Sequence, residues 1–189
     1  QRQMCIRDRF QNEQQQEACT LMQSFEPEED QKYGYVNLLG RICYQLERYE
    51  EARPYLEQWV HMIRNTVDDG SAENQKRISR YSRACHILGG CYFEMGDREK
   101  AIEILQEAVE KADKPQDRLM CRQYLGHVYL KSGQYEMCID LCDQIIQEED
   151  QYFPAYLQRQ EAYFELKNGQ KVVAVSYTHL RAHETTLHL

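Results

Sequence analysis

A helical hairpin that recurs along the chain constrains its fold more than any other feature. Between Cys85 and Ala108, apolar residues recur at helical spacing through Ile87, Leu88, Cys91, Tyr92 and Met95, stop at Gly96-Asp97, and resume at Ala101, Ile102, Leu105 and Ala108. The spacing predicts two short amphipathic helices packed back to back. Gly89 falls inside the first helix, where glycine costs roughly 1 kcal/mol relative to alanine. Close approach of the second helix is expected to offset that cost, with Ala101 and Ala108 as its small partners.

The same hairpin returns at Leu39-Gly40 and Leu125-Gly126, each followed at a matching offset by a small residue on the second helix, Ala52 and Cys138, as Ala101 follows Leu88-Gly89. The step is 37 residues from Gly89 to Gly126, 49 from Gly40 to Gly89, and 34 from Cys138 to Val172 in a fourth copy. Tyr92, Tyr129 and Tyr163 hold an aromatic position that Cys43 fills in the first copy, and Gly96 and Gly133 hold the turn. This pattern resembles the tetratricopeptide repeat. The resemblance implies an all-α fold, a right-handed solenoid of αα-hairpins (a TPR-like superhelix), non-catalytic and built for protein–protein interaction. Tryptophan is missing from the start of each copy, and Gln160 stands where the fourth should carry glycine.

The chain of 189 residues is 42% hydrophobic and 29% charged, a globular balance, and its formal charge of −8 disfavours nucleic acid and anionic membranes as partners. No apolar run approaches the roughly 18 residues of a spanning helix, so a cytoplasmic location is expected; a bacterial origin is a separate expectation. The two ends read differently from the rest. Met4-Cys5-Ile6-Arg7-Asp8 can be encoded by DNA whose reverse complement reads Val175-Ser176-Tyr177-Thr178-His179. Such inverted ends look like translated sequencing adapter, so residues 1–9 and 175–189 are expected to be scars, and the chain a fragment of a larger protein. On that reading the helical spacing of His179, His183 and Glu184 carries no metal chemistry, and residues 10–174 hold 19 basic against 29 acidic side chains, a charge of −10.

In chain order, residues 10–31 are expected to be the second helix of a partial repeat. Full repeats follow at about 33–67, 75–113 and 118–150, with a truncated one at 153–174. Pro54 is expected in the first turn of its helix, where it is tolerated. Trp59 is expected to pack rather than bind. The polar stretch from Asp68 to Asn74 is a loop that accounts for the long step, with Ser71 or Asp69 capping a lengthened helix from near Glu73 that bears a basic stripe of Lys76, Arg77, Arg80 and Arg83. Uncapped repeats at both ends predict self-association.

No catalytic constellation is present. Cys138 and Cys142 share a helical face with Cys121 near, but without closely spaced pairs they read as core rather than metal ligands, and no metal or cofactor is expected. The resemblance implies that the first helices line a concave groove for a peptide or partner helix. Carried over position by position, that surface comprises Asn37, Arg41, Tyr44, Gln45, Arg83, His86, Phe93, Gln123, His127, Lys131, Leu157, Glu161 and Phe164. Its charge runs from basic at Arg41 and Arg83 to acidic at Glu161, which suits a peptide with acidic and basic ends. Two alternatives keep the same fold: an accessory region of an enzyme or J-domain co-chaperone, or a peptide-sensing regulator.

Overall fold

A computed structural model of the chain describes residues 14–166, which are all-α, a run of stacked helical hairpins without a strand among them. The expected scars at 1–9 and 175–189, and the His179, His183 and Glu184 spacing, lie outside the described residues. The chain divides into two compact units, Gln1–Arg118 and Leu119–Leu189.

In the first unit α1 covers 14–23. A first hairpin, α2 (Lys32–Gln45) and α3 (Tyr49–Arg64), is followed by a short α4 (Ala72–Ile78) and a second hairpin, α5 (Tyr81–Glu94) and α6 (Arg98–Glu110). Helix α3 packs on both α2 and α5, which also meet directly. The core between them is built from Leu39, Cys43, Ala52, Leu56 and Trp59 of the first hairpin and from Ala84, Cys85, Cys91, Ala101, Leu105 and Ala108 of the second, all fully or almost fully buried. The unit ends within α7 (Pro115–Lys131). In the second unit α7 is followed by α8 (Tyr135–Glu148) and α9 (Phe153–Glu165). Arg122 of α7 reaches Glu148 of α8 at 2.7 Å, and α8 packs on α9, where Arg159 pairs with Asp143.

Each hairpin turns the same way. The amide of Arg48 donates to the Cys43 carbonyl at 2.9 Å, Asp97 to Tyr92 at 2.9 Å, and Gln134 to Tyr129 at 2.9 Å. These six-residue closures need one residue in the left-handed region. Glycine supplies it at Gly96 (φ 85°) and Gly133 (φ 75°), whereas Glu47 is forced there at φ 59°. A side chain in that region costs about 1–2 kcal/mol. Glu47→Gly is therefore expected to stabilise the first unit by about 1 kcal/mol, once the extra freedom of glycine in the unfolded chain is subtracted. A rise in the urea midpoint at unchanged slope checks this, and an unchanged or lower midpoint would mean that the turn is unstrained.

Several local expectations shift. Helix α3 begins at Tyr49, so Pro54 lies past the first turn and removes the hydrogen bond to the Glu50 carbonyl; it is exposed, away from the packed face. Ser71 caps α4 by accepting from the Asn74 amide at 3.3 Å, but no lengthened helix follows, because a turn at Ser79-Arg80 separates α4 from α5. Helix α4 buries no residue, so no packed face of its own holds it in line with α5. The atoms over Gly89 belong to Leu105 and Ile104, not to Ala101 or Ala108. Leu105 stands one turn from each alanine, and their small size lets it descend onto the glycine.

Candidate protein-interaction surface

On α2 the residues Asn37, Arg41, Tyr44 and Gln45 recur at three- and four-residue spacing, which aligns them along one stripe beside the buried face of Val36, Leu39, Gly40 and Cys43. Asn37, Arg41 and Tyr44 are half-buried and Gln45 is exposed. The Asn37 side-chain oxygen is buried and has no hydrogen-bond partner among the described residues. The Tyr44 ring stands edge-on to Tyr49, with centroids 5.6 Å apart.

Helix α5 adds Arg83, which is exposed, with His86 and Phe93 half-buried. Burial, and then the neighbouring Arg83 charge, holds the His86 imidazole below its usual range, so the ring is neutral at pH 7. Arg41 and Arg83 form no ion pair among the described residues. Their neighbours behave otherwise: Arg48 lies 2.6 Å from Glu51, Arg64 2.7 Å from Glu107, and Lys100 2.7 Å from Asp97. In the first unit the two first helices thus carry two guanidinium groups that no carboxylate among the described residues pairs with.

The second unit arranges its candidates differently. Lys131 of α7 and Glu161 of α9 meet at 3.0 Å, so the acid expected to face a ligand is matched inside the fold. Gln123 accepts from the Tyr152 hydroxyl at 2.9 Å, and its backbone carbonyl accepts from Gln158 at 3.3 Å. That glutamine is tied into the α7–α9 packing. His127 tilts against Tyr124, with ring centroids 6.0 Å apart. Leu157 and Phe164 are open, at 57% and 69% exposure.

Sequence reasoning missed a cleft of about 530 Å³ between α3 and α6, floored by Leu88 and Tyr92 of α5. One end is a polar hub. Glu107 accepts from the Tyr81 hydroxyl at 2.5 Å and pairs with Arg64, with Lys111 at 3.6 Å. Burial pushes its carboxyl up, but Tyr81, Arg64 and Lys111 outweigh burial and hold it below the usual carboxylate range. At the other end Glu57 accepts from the Tyr92 hydroxyl at 2.7 Å. The signal was present as polar residues at helical spacing on both second helices: Glu57, His61 and Arg64 on α3, Lys100, Glu103 and Glu107 on α6.

Among the described residues no group of three or more His, Cys, Asp or Glu is placed to hold a metal ion, and no helix is long and apolar enough to cross a membrane. Cys121, Cys138 and Cys142 are fully buried, and the Cys142 sulfur lies 3.6 Å from the Gln158 side-chain oxygen.

The tetratricopeptide repeat profile matches residues 33–60 and 82–111, the α2–α3 and α5–α6 hairpins. No curated protein matches the chain. Among solved structures, the nearly identical TPR-like repeats assigned to a kinesin light chain of Podosopora anserina superpose with a TM-score of 0.70 at 20% identity, over 96% of this chain and 92% of that one. MamA gives 0.63 at 19% identity, over 85% and 84%. BtubC (BKLC) from P. vanneervenii gives 0.65 at 15% identity, over 91% and 71%. Identities this low show the fold alone. Repeats of this kind typically bind other proteins and typically carry no catalytic activity. The chain thus carries two tetratricopeptide repeats, at 33–60 and 82–111, within stacked helical hairpins that run through its described residues.

Proposed function

We propose that the chain is a non-catalytic scaffold whose first unit docks an acidic peptide or partner helix along the first helices of its hairpins. The observation that carries this is the pair Arg41 and Arg83. Both lie on the stripe that the repeat architecture turns toward ligands, and neither is neutralised by a neighbouring carboxylate among the described residues. Tyr44, Phe93 and the neutral His86 supply ring surface between the two charges, and Asn37 supplies an amide for a peptide backbone. In the second unit the open side chains on the corresponding stripe, Leu157 and Phe164, are apolar, and the charges of Lys131 and Glu161 cancel. We assign the second unit's stripe, taken by itself, to apolar contact, a role narrower than the acidic end expected from sequence.

Selection from a random peptide display library tests the proposal. Bound peptides are expected to be enriched in Asp and Glu beside an aromatic residue, and the double variant Arg41→Glu/Arg83→Glu to weaken the best of them by about tenfold or more. Selected peptides without acidic residues, or binding that survives the double variant but is lost on Glu103→Arg in the α3–α6 cleft, would place the ligand elsewhere. Binding is read on the monomeric fraction, because Leu21, Phe25 and Leu38 expose 72%, 54% and 48% of their surfaces and offer a second copy an apolar route of its own.

A further inference from the structure

We infer that Cys19 and Cys43 are a thiol-oxidation site, at which a peroxide converts the pair to a disulfide that ties α1 to the first hairpin. Their sulfur atoms lie 3.4 Å apart, from residues 24 positions apart in the chain and on different helices, and both side chains are fully buried. Of the described residues of α1, Cys19 is the one that is fully buried, so the helix is seated by the side chain that would react.

The surrounding groups assign the two sulfurs different roles. The Arg48 guanidinium is held by Glu51 through two hydrogen bonds, Nε to Oε1 at 2.8 Å and Nη2 to Oε2 at 2.6 Å. Its remaining nitrogen, Nη1, donates to the Cys19 sulfur at 3.5 Å. Glu51 also accepts from Gln23 of α1 at 2.9 Å, which steadies the helix that carries Cys19. Cys19 thus lies beside a fixed cation and is placed to accept the Cys43 S–H. Burial, followed by the contact with Cys19, pushes the Cys43 thiol up to about 12, so Cys43 keeps its proton until the second step.

The chemistry balances with hydrogen peroxide as the oxidant. The Cys19 sulfur gives up its proton as it attacks one peroxide oxygen, the O–O bond breaks, and the leaving hydroxide takes that proton to become water, giving a sulfenic acid on Cys19. The Cys43 sulfur then attacks the Cys19 sulfur. The S–S bond forms as S–O breaks, and the departing hydroxide leaves as a second water with the Cys43 proton. Two thiols and one peroxide become one disulfide and two waters. Access comes from transient opening of α1, a short helix that is marginal without its packing. Once formed, the bond prevents that opening. The other close pair, Cys138 and Cys142, sits at i, i+4 on one helix, where the Cβ atoms are about 5–6 Å apart, too far for a disulfide without unwinding a turn.

The full chain treated with hydrogen peroxide should lose the mass of two hydrogens, with a Cys19–Cys43 linkage in the peptide map and a melting temperature raised by several degrees that dithiothreitol reverses. Cys43→Ser should instead trap a dimedone-reactive sulfenic acid on Cys19. Arg48→Met keeps both thiols and should slow the reaction by about tenfold. A linkage mapped between other cysteines, no mass change, or an Arg48→Met rate equal to that of the parent would overturn the assignment. The peptide map is made on the parent chain, so it decides the matter even if a cysteine variant fails to fold.

Discussion

Trp59→Ala is expected to destabilise the first unit by about 3–5 kcal/mol, the range for truncating a fully packed large side chain. Trp59 is the largest fully buried side chain in the structure, at 1% exposure, and it lies on α3, the helix that packs on both α2 and α5. Its removal opens a cavity where the two hairpins join, and neither hairpin can collapse into the space without losing its register against the other. The indole N–H has no hydrogen-bond partner among the described residues, so the ring contributes through packing alone. Trp59→Phe should accordingly cost less, about 1–2 kcal/mol, because it removes an unpaired polar group along with some volume. The check is a thermal melt followed by far-ultraviolet circular dichroism, where the alanine variant should melt roughly 6–20 °C lower for a chain of this size. A shift of only a degree or two would show that the side chain serves a ligand and not the core.

The hairpins were legible because their determinants are local. Leu-Gly followed by a small residue after a fixed interval reports two packed helices, and the tetratricopeptide match falls on the first two copies. What stayed hidden was set by neighbours in space. Periodicity placed Gly126 on the same face as Gly89, yet the atom over it is the Gln158 side chain of α9, from the following hairpin, not the second helix of its own. The turn at Glu47 carried no glycine to announce a left-handed residue, since the closure from Arg48 to Cys43 dictates that conformation whatever the side chain. Charges misled for a similar reason. Glu161 belongs to an acidic end when read along the chain, but Lys131, thirty residues earlier, lies against it. The α3–α6 cleft escaped notice because its polar residues look, in sequence, like ordinary solvated faces. The family likeness drew attention to the outer stripe of first helices, while this polar cluster formed between second helices and the tyrosines of α5.

Gly89→Ala is expected to cost about 2 kcal/mol, although alanine is the better helix former by roughly 1 kcal/mol. A Cβ at Gly89 would sit 2.6 Å from Cγ of Leu105 and 2.9 Å from its Cδ2. The clash is with the branch point of a fully buried side chain, not with a flexible tip, so α6 itself must move to relieve it. The same change at Gly126 meets the end of Gln158, with Oε1 at 2.8 Å, and that amide can swing aside at the expense of its bond to the Gln123 carbonyl. Gly126→Ala should therefore fall within about 1 kcal/mol of neutral, as gain in helix propensity and loss of a hydrogen bond offset each other. The decisive test is a double-mutant cycle with Leu105→Ala. If Leu105 is the obstacle, Gly89→Ala should turn from destabilising to stabilising by up to about 1 kcal/mol once that side chain is gone, because only the propensity gain remains. A penalty that persists in the Leu105→Ala background would move the constraint to Ile104, whose Cγ2 stands 3.1 Å from the same point, and the close seat of α6 on α5 would then rest on that neighbour instead.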